Sequence, residues 1–368
     1  MERWRGAVED LVMPVRPDPA FWSQRRVLLL GHTGFKGSWL AVWLQMMGAK
    51  VHGLALAPPE APNLYNAAGV AAGMSETIGD IRDPAVVDAA LAASEAEVVL
   101  HLAAQPLVRQ SYRDPVETYA TNVMGTVHIL DAVRRADHVR AVVNVTTDKC
   151  YENREWVWGY REDEAMGGYD PYSSSKGCSE LVTSAWRRSY FADRGIGLAS
   201  ARAGNVIGGG DWAKDRIVPD LLRAFEAGNP ALVRNPNAIR PWQHVLEPLS
   251  GYLVLAERLF VGDEAAASAW NFGPAEGDAL PVREIADRLA ASYGSGASWV
   301  TSTEPQPHEA NFLKLDISKA RTYLDWHPTW PIGRALEMIV AWHRGWATGE
   351  DTRHLCELQI GEYLKCKE

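Results

Sequence analysis

Two residues four apart, Tyr172 and Lys176 in the run Tyr172-Ser-Ser-Ser-Lys176, carry the sharpest chemical suggestion in this chain. On a helix, that spacing puts both side chains on one face. An ammonium near a phenol favours the phenolate and lowers the tyrosine from its usual ~10 toward working pH. A tyrosine so placed takes the proton of an alcohol while hydride leaves the carbon. A second group stands upstream, where Thr147, Asp148 and Lys149 follow the β-rich run Ala141-Val-Val-Asn-Val145. Thr147 is placed to hydrogen-bond a hydroxyl under oxidation, and Asp148 and Lys149 add an acid and an amine beside it. The Tyr/Lys spacing alone is common by chance, so its meaning depends on what surrounds it.

The elements that would position these groups begin near the N-terminus. Arg26-Val-Leu-Leu-Leu30 is an apolar run of strand length. It leads into Gly31-His-Thr33-Gly34-Phe35-Lys36-Gly37 and then a helical stretch beginning Ser38-Trp-Leu-Ala. Strand, glycine turn and helix in this order are the context of a dinucleotide fingerprint. Gly31 permits the tight turn, Gly34 lets backbone approach a pyrophosphate, and Gly37 lets helix and strand pack. The helix N-terminus offers N–H groups and a positive dipole end to phosphates. Thr33, Phe35 and Lys36 lie in the same turn and join the cofactor candidates. Asp80-Ile81 follows a further strand, where a carboxylate can accept the adenine amino group or merely cap a helix. His101-Leu102-Ala103-Ala104-Gln105 ends a buried strand with small residues that leave room for a ligand. Asn122, on the next helix, completes the cofactor set, and Gln105 is a substrate candidate. The second strand ends Leu54-Ala-Leu-Ala-Pro-Pro59, with neither a carboxylate for ribose hydroxyls nor an arginine for a 2′-phosphate. That stretch does not separate NAD from NADP.

Composition bounds the partners. The chain has 368 residues, 47% hydrophobic and 23% charged, and a net charge of −9. An acidic balance argues against nucleic acid or an anionic membrane as partner. No apolar stretch approaches the ~20 residues a spanning helix needs, and the opening Met1-Glu-Arg-Trp-Arg-Gly is no signal peptide. Cys150, Cys178, Cys356 and Cys366 have no metal-ligand spacing and read as reduced thiols of a cytoplasmic protein, with no metal site.

Alternating strand and helix signals through the first half imply a doubly wound α/β fold with a parallel sheet. The expected division is an arm over 1–24, a dinucleotide-binding domain over 25–204, and a strand near 245–273 returning to it. Segments 205–244 and 274–350 would form a smaller, discontinuous substrate domain, and 351–368 a tail. Such a sheet binds its ligand outside the carboxyl ends of its strands. Arg216 and Arg240 suit a diphosphate, Asn205 can donate to it, Trp212 and Trp242 can wall the pocket, and His308 can approach the nucleotide.

Taken together, Gly31–Gly37, Thr147-Asp-Lys-Cys-Tyr151, Glu152–Trp158, Tyr169–Lys176, Gly204-Asn-Val-Ile-Gly-Gly-Gly-Asp-Trp212 and Ile239-Arg-Pro-Trp-Gln-His244 resemble the extended short-chain dehydrogenases/reductases. Within these the chain is most similar to the nucleotide-sugar 4,6-dehydratases, in particular the CDP-glucose subgroup, from about Arg25 to about Trp346. The resemblance implies an internal NAD redox cycle on CDP-glucose. Tyr172 would take the C4 hydroxyl proton, Thr147 would hold that hydroxyl, and Lys176 would hold the cofactor ribose. Asp148 and Lys149 would then serve elimination of water across C5 and C6. In dTDP-glucose relatives the second member of that pair is Glu, whereas here it is lysine. The resemblance also implies a homodimer through helices near Tyr119–Arg135 and Tyr172–Phe191, and leaves open a dimer of dimers. A 4-epimerase would share Tyr172, Lys176 and the glycine turn but has no use for Asp148-Lys149. A non-catalytic dinucleotide sensor would not need the intact Tyr/Lys pair.

Overall fold

The computed structural model describes residues 15–302 and 311–366; His308 lies outside them. Among these residues seven strands form one parallel sheet. They are β1 (Arg26–Leu30), β2 (Lys50–Ala55), β3 (Ser75–Ile78), β4 (Val98–His101), β5 (Ala141–Val145), β6 (Gly197–Ala203) and β7 (Ala269–Phe272). β5 is buried along its whole length, as a strand covered on both faces must be. The order is β7-β6-β5-β4-β1-β2-β3, so the chain reverses direction across the sheet at β1. Leu30 lies opposite both Leu54 and His101. The crevice where ligands bind therefore opens above the ends of β1 and β4.

One face of the sheet packs on helices Phe35–Met46 and Leu246–Phe260, the other on Pro84–Ser94 and Gly125–Arg135. Two helix starts are written in the sequence: Asp83 and Asp170 accept backbone N–H groups as N-caps, each followed by proline. A separate apolar cluster joins helices Ile217–Glu226, Val282–Tyr293 and Ile332–Ala347. Around it run three short two-stranded pairings that share no strand with the main sheet.

Two segments are more integrated than the sequence reading has them. Trp22, placed in the arm, is fully buried, and its indole N–H donates to Glu257 at 2.6 Å. Residues 351–368, read as a tail, contain the helix Thr352–Lys365, with Cys356, Ile360 and Tyr363 fully buried. Tyr363 sits edge-on to Trp43 of the Phe35–Met46 helix at 5.8 Å. Apolar side chains at helical spacing had a face to bury against, which a reading by local polarity does not reveal.

Candidate functional site

The glycine turn is built as its residue types require. Gly31 has φ +89°, and a Cβ there would stand 2.8 Å from the Ala103 backbone nitrogen. A Cβ on Gly37 would collide with the Gly31 carbonyl, so the helix packs directly on the turn. Gly34 is exposed and caps the Phe35–Met46 helix without any side-chain hydrogen bond. That N-terminus is open to an anion. Thr33 is buried with its hydroxyl on the Leu56 carbonyl, 3.0 Å away, while Phe35 is half-buried.

The catalytic candidates converge at the carboxyl ends of β4, β5 and β6. Tyr172 stands in the first turn of helix Pro171–Trp186, behind the Asp170 cap, and Lys176 follows one turn later. Lys176 is buried, and its ammonium donates to the Val145 carbonyl at 3.1 Å. Burial holds it down to about 8. Burial likewise pushes the Tyr172 phenol up to about 12, against a hydrogen bond with Thr147 that pulls it down. The lowering anticipated from Lys176 does not prevail, because the ammonium is turned to the strand backbone. Arg216 is the cation that acts on the phenol. Its guanidinium also pairs with Asp211 at 2.8 Å.

Thr147 caps the short turn Asp148–Cys150 and donates from Oγ1 to Asp148 Oδ1 at 3.1 Å. Asp148 is 2% exposed. Its other oxygen, Oδ2, has no partner among the described residues and lies 3.0 Å from where a Gly204 Cβ would be. Burial raises this carboxyl above the usual range, opposed by Lys149, Thr147 and Arg240. A buried carboxyl with one oxygen free is an acid kept in hand. Lys149 beside it is half-buried. Lys36, in the glycine turn, belongs to the same charge cluster: burial first, then Lys176 and Arg216, bring it down to about 7, against the pull of Asp148.

Other candidates are placed less directly. Asp80 is held by Arg82, whose Nε donates to it at 2.8 Å, and Ile81 is buried beneath Gly125. Leu102, Ala103 and Ala104 are half-buried at the edge of β4. Asn122 braces this edge: its Oδ1 accepts from Gln105 N at 2.9 Å, and its Nδ2 donates to the Gln105 carbonyl and to Ser175. The Gln105 side chain is tied to Leu107 in its own loop and to Thr118 of the helix Pro115–Tyr119. Asn205 is half-buried, and its carbonyl accepts from Gln243 N. Arg240 is buried and acts electrostatically on Asp148. Trp242 is a correction: it is 2% exposed within the second apolar cluster, its N–H spent on the Leu280 carbonyl. Trp212 packs edge-on to Trp342 and Trp346.

The sequence reading missed the floor of the site. Glu180, one turn beyond Lys176, forms a buried ion pair with Arg202 at 2.8 Å. It also accepts from Ser200 at 2.6 Å and from Thr146. Burial alone would raise Glu180, but Arg202, Ser200 and Thr146 bring it below the ordinary range. Arg202 goes on to Tyr151, whose hydroxyl donates to Asn271 at 2.7 Å. Position four after Lys176 was the available signal, but its partner comes from another strand.

The sheet reversal, the open glycine turn and a Tyr/Lys pair at the strand ends together define a dinucleotide-binding α/β protein with an oxidoreductase-type site. The chain belongs to the GDP-mannose 4,6 dehydratase family, whose model matches residues 28–339. It is 54% identical over 352 residues to a CDP-glucose 4,6-dehydratase of Salmonella typhimurium LT2, covering 94% of this chain and 98% of that protein. A dTDP-glucose 4,6-dehydratase of Streptomyces niveus is 26% identical over 267 residues, 72% of this chain and 75% of that one. The fold is shared with a UDP-glucose 4-epimerase from Thermotoga maritima (TM-score 0.77, 22% identity, 87% of this chain and 99% of that one). It is shared too with a dTDP-glucose 4,6-dehydratase from Bacillus anthracis solved with NAD (TM-score 0.74, 19% identity, 89% and 99%).

Proposed function

We propose that this chain is an NAD-dependent CDP-glucose 4,6-dehydratase, which removes water from CDP-glucose to give the 4-keto-6-deoxy sugar. The observation that carries the dehydratase reading over an epimerase is Asp148: a buried acid, raised by burial, with one oxygen unpaired among the described residues, beside Thr147 and Tyr172. An epimerase has no leaving hydroxyl to protonate. The 54% identity to a relative named for this reaction supports the choice of substrate.

The cradle fits NAD: the open helix start at Gly34, the side-chain-free turn at Gly31 and Gly37, and Lys176 within reach of a ribose. When bound, NAD would supply a hydride acceptor for C4 and, once reduced, a hydride donor for C6. Tyr172 takes the C4 hydroxyl proton, with Thr147 holding that oxygen and Arg216 favouring the phenolate. The 4-ketone acidifies C5–H. Lys149 removes that proton while Asp148 protonates the departing C6 hydroxyl, and Lys149 returns its proton to C5. Arg240 and Arg216 balance substrate charge near the site, and Asn205, Gln105 and His308 remain candidates for contacts further along the nucleotide.

The same reading includes a cytoplasmic homodimer. Tyr119, Met124, Leu181 and Tyr190 are exposed apolar side chains on the helical segments named for pairing, and a second copy would cover them. All four cysteines are free thiols, and no helix among the described residues is long and apolar enough to cross a membrane. The test is incubation of purified protein with NAD and, separately, CDP-, dTDP-, UDP- and GDP-hexoses, followed by mass spectrometry. Loss of one water from CDP-glucose alone is the expected result. Loss from another nucleotide sugar overturns the substrate, and loss from none overturns the reaction.

A further inference from the structure

Helix Leu246–Phe260 packs across β5 and β6. It starts at their carboxyl edge, just after Gln243–His244 pairs with Val206–Ile207. Helical side chains lean toward their own N-terminus, so Tyr252, in the second turn, leans toward the catalytic edge. Its ring is fully buried, edge-on to Phe272 at 5.7 Å, with Lys36 Nζ 5.7 Å from the ring centre. Its hydroxyl has no partner among the described residues. Other buried tyrosine hydroxyls here are bonded: Tyr151 to Asn271 at 2.7 Å, Tyr160 to Asn153 at 3.0 Å, and Tyr363 to Glu247 at 2.8 Å. An orphaned buried hydroxyl destabilises a fold, and phenylalanine would fill the same space without that cost.

A second orphan faces the same region. Asp148 Oδ2 is also buried and unpartnered, and Tyr252 lies within the electrostatic reach of both Asp148 and Tyr172. We propose that Tyr252 is a positioning residue for the elimination step, its hydroxyl donating to Asp148 Oδ2 as that carboxyl gives its proton to the departing C6 hydroxyl. The proton moves from Asp148 to the leaving oxygen, water departs, and the carboxylate left behind gains a donor that the neutral acid did not need. A donor aimed where charge develops favours the transition state over the ground state. The charged and titratable groups facing Asp148 are Lys149 from its own turn, Arg240 from the Ile239–Pro241 strand, Lys36 from the glycine turn, and Tyr172.

The inference rests on the dehydratase reading, and the two fail differently: that reading fails if wild type releases no water. The test is Tyr252→Phe in the NAD-loaded full chain with CDP-glucose, following transient cofactor reduction and water loss separately. Water loss is expected to slow by roughly 10- to 100-fold, with reduction and KM little changed. The limb of the pH–rate profile belonging to Asp148 should move to higher pH, while the melting temperature holds or rises. Unchanged water loss and an unmoved limb would make Tyr252 a core residue only. An equal fall in reduction and water loss, or a weakened hold on NAD, would place its action on Lys36 and the cofactor turn, and overturn the proposal.

Discussion

Replacing Asp148 by Asn is the substitution that isolates elimination from oxidation. The amide keeps the shape of the carboxyl and can still accept from Thr147, whose hydroxyl lies 3.1 Å from Oδ1. What it loses is the transferable proton. General acid catalysis contributes roughly 10²- to 10⁴-fold, or about 3–5 kcal/mol at about 1.36 kcal/mol per decade. Because the carboxyl is 2% exposed and burial disfavours its charged form, folding stability should fall by less than about 1 kcal/mol. Rapid mixing with CDP-glucose reads both halves of the reaction. Absorbance of reduced nicotinamide reports oxidation at C4, and quench with mass spectrometry reports water loss. In the variant, reduced cofactor should build up and persist because the step that consumes it is blocked. Reduction slowed as much as water loss would refute the assignment, since Asp148 would then act on Tyr172 or on substrate placement. A rise in KM with unchanged kcat would reduce it to a binding group.

Other perturbations test neighbouring parts. Lys149→Met should slow loss of the C5 proton, read by solvent deuterium uptake, more than it slows cofactor reduction; an equal effect would remove its role as base. Below about pH 7, Lys36→Ile should tighten NAD binding by about 10-fold, because it removes a cation crowded by Lys176 and Arg216 from a site that takes a positively charged ring. In the unaltered chain Lys36, held down to about 7, is charged only below that pH. NAD affinity, measured by fluorescence titration, should therefore rise as pH rises through about 7, and the variant should lose this dependence. For folding, the depressed lysine contributes stability that is lost as pH falls through the same value. Glu180→Ala should cost about 3–5 kcal/mol in denaturant unfolding, since it leaves Arg202 charged and buried without its partner; a loss below about 1 kcal/mol would mean that Tyr151 and water already satisfy the guanidinium.

The parts legible in the sequence are those whose chemistry and local geometry coincide. Gly31, Gly34 and Gly37 stand in the expected turn between strand and helix because such a turn is a local object. Tyr172 and Lys176 are read as one face because they share a helix. The protonation of that pair was not legible: burial dominates both, and burial is a property of what the rest of the chain brings over them. Asn122 and Gln105 fall in a cofactor-like stretch, yet their hydrogen bonds go to each other, to the Ser175 and Thr118 hydroxyls and to the Leu107 backbone. Trp242 stands two residues after Arg240 in sequence, but its indole enters the second apolar cluster and donates to the Leu280 carbonyl, a partner from another element. Glu180–Arg202 and Tyr252 were invisible because each depends on a partner from a different strand or helix.

The contact between the glycine-turn helix and the far helix Thr352–Lys365 bears on how the chain is made. Arg353 donates to the Gln45 side chain at 2.9 Å across 308 residues of sequence, and Tyr363 meets Trp43 on the same helix. During translation the fingerprint leaves the ribosome early, but the helix that carries it stays unbacked along this side until the last segments emerge. NAD capture is then expected to await the helix Thr352–Lys365. A nascent chain stalled before residue 352 should hold the cofactor less firmly than the released protein, even with every fingerprint residue already in place.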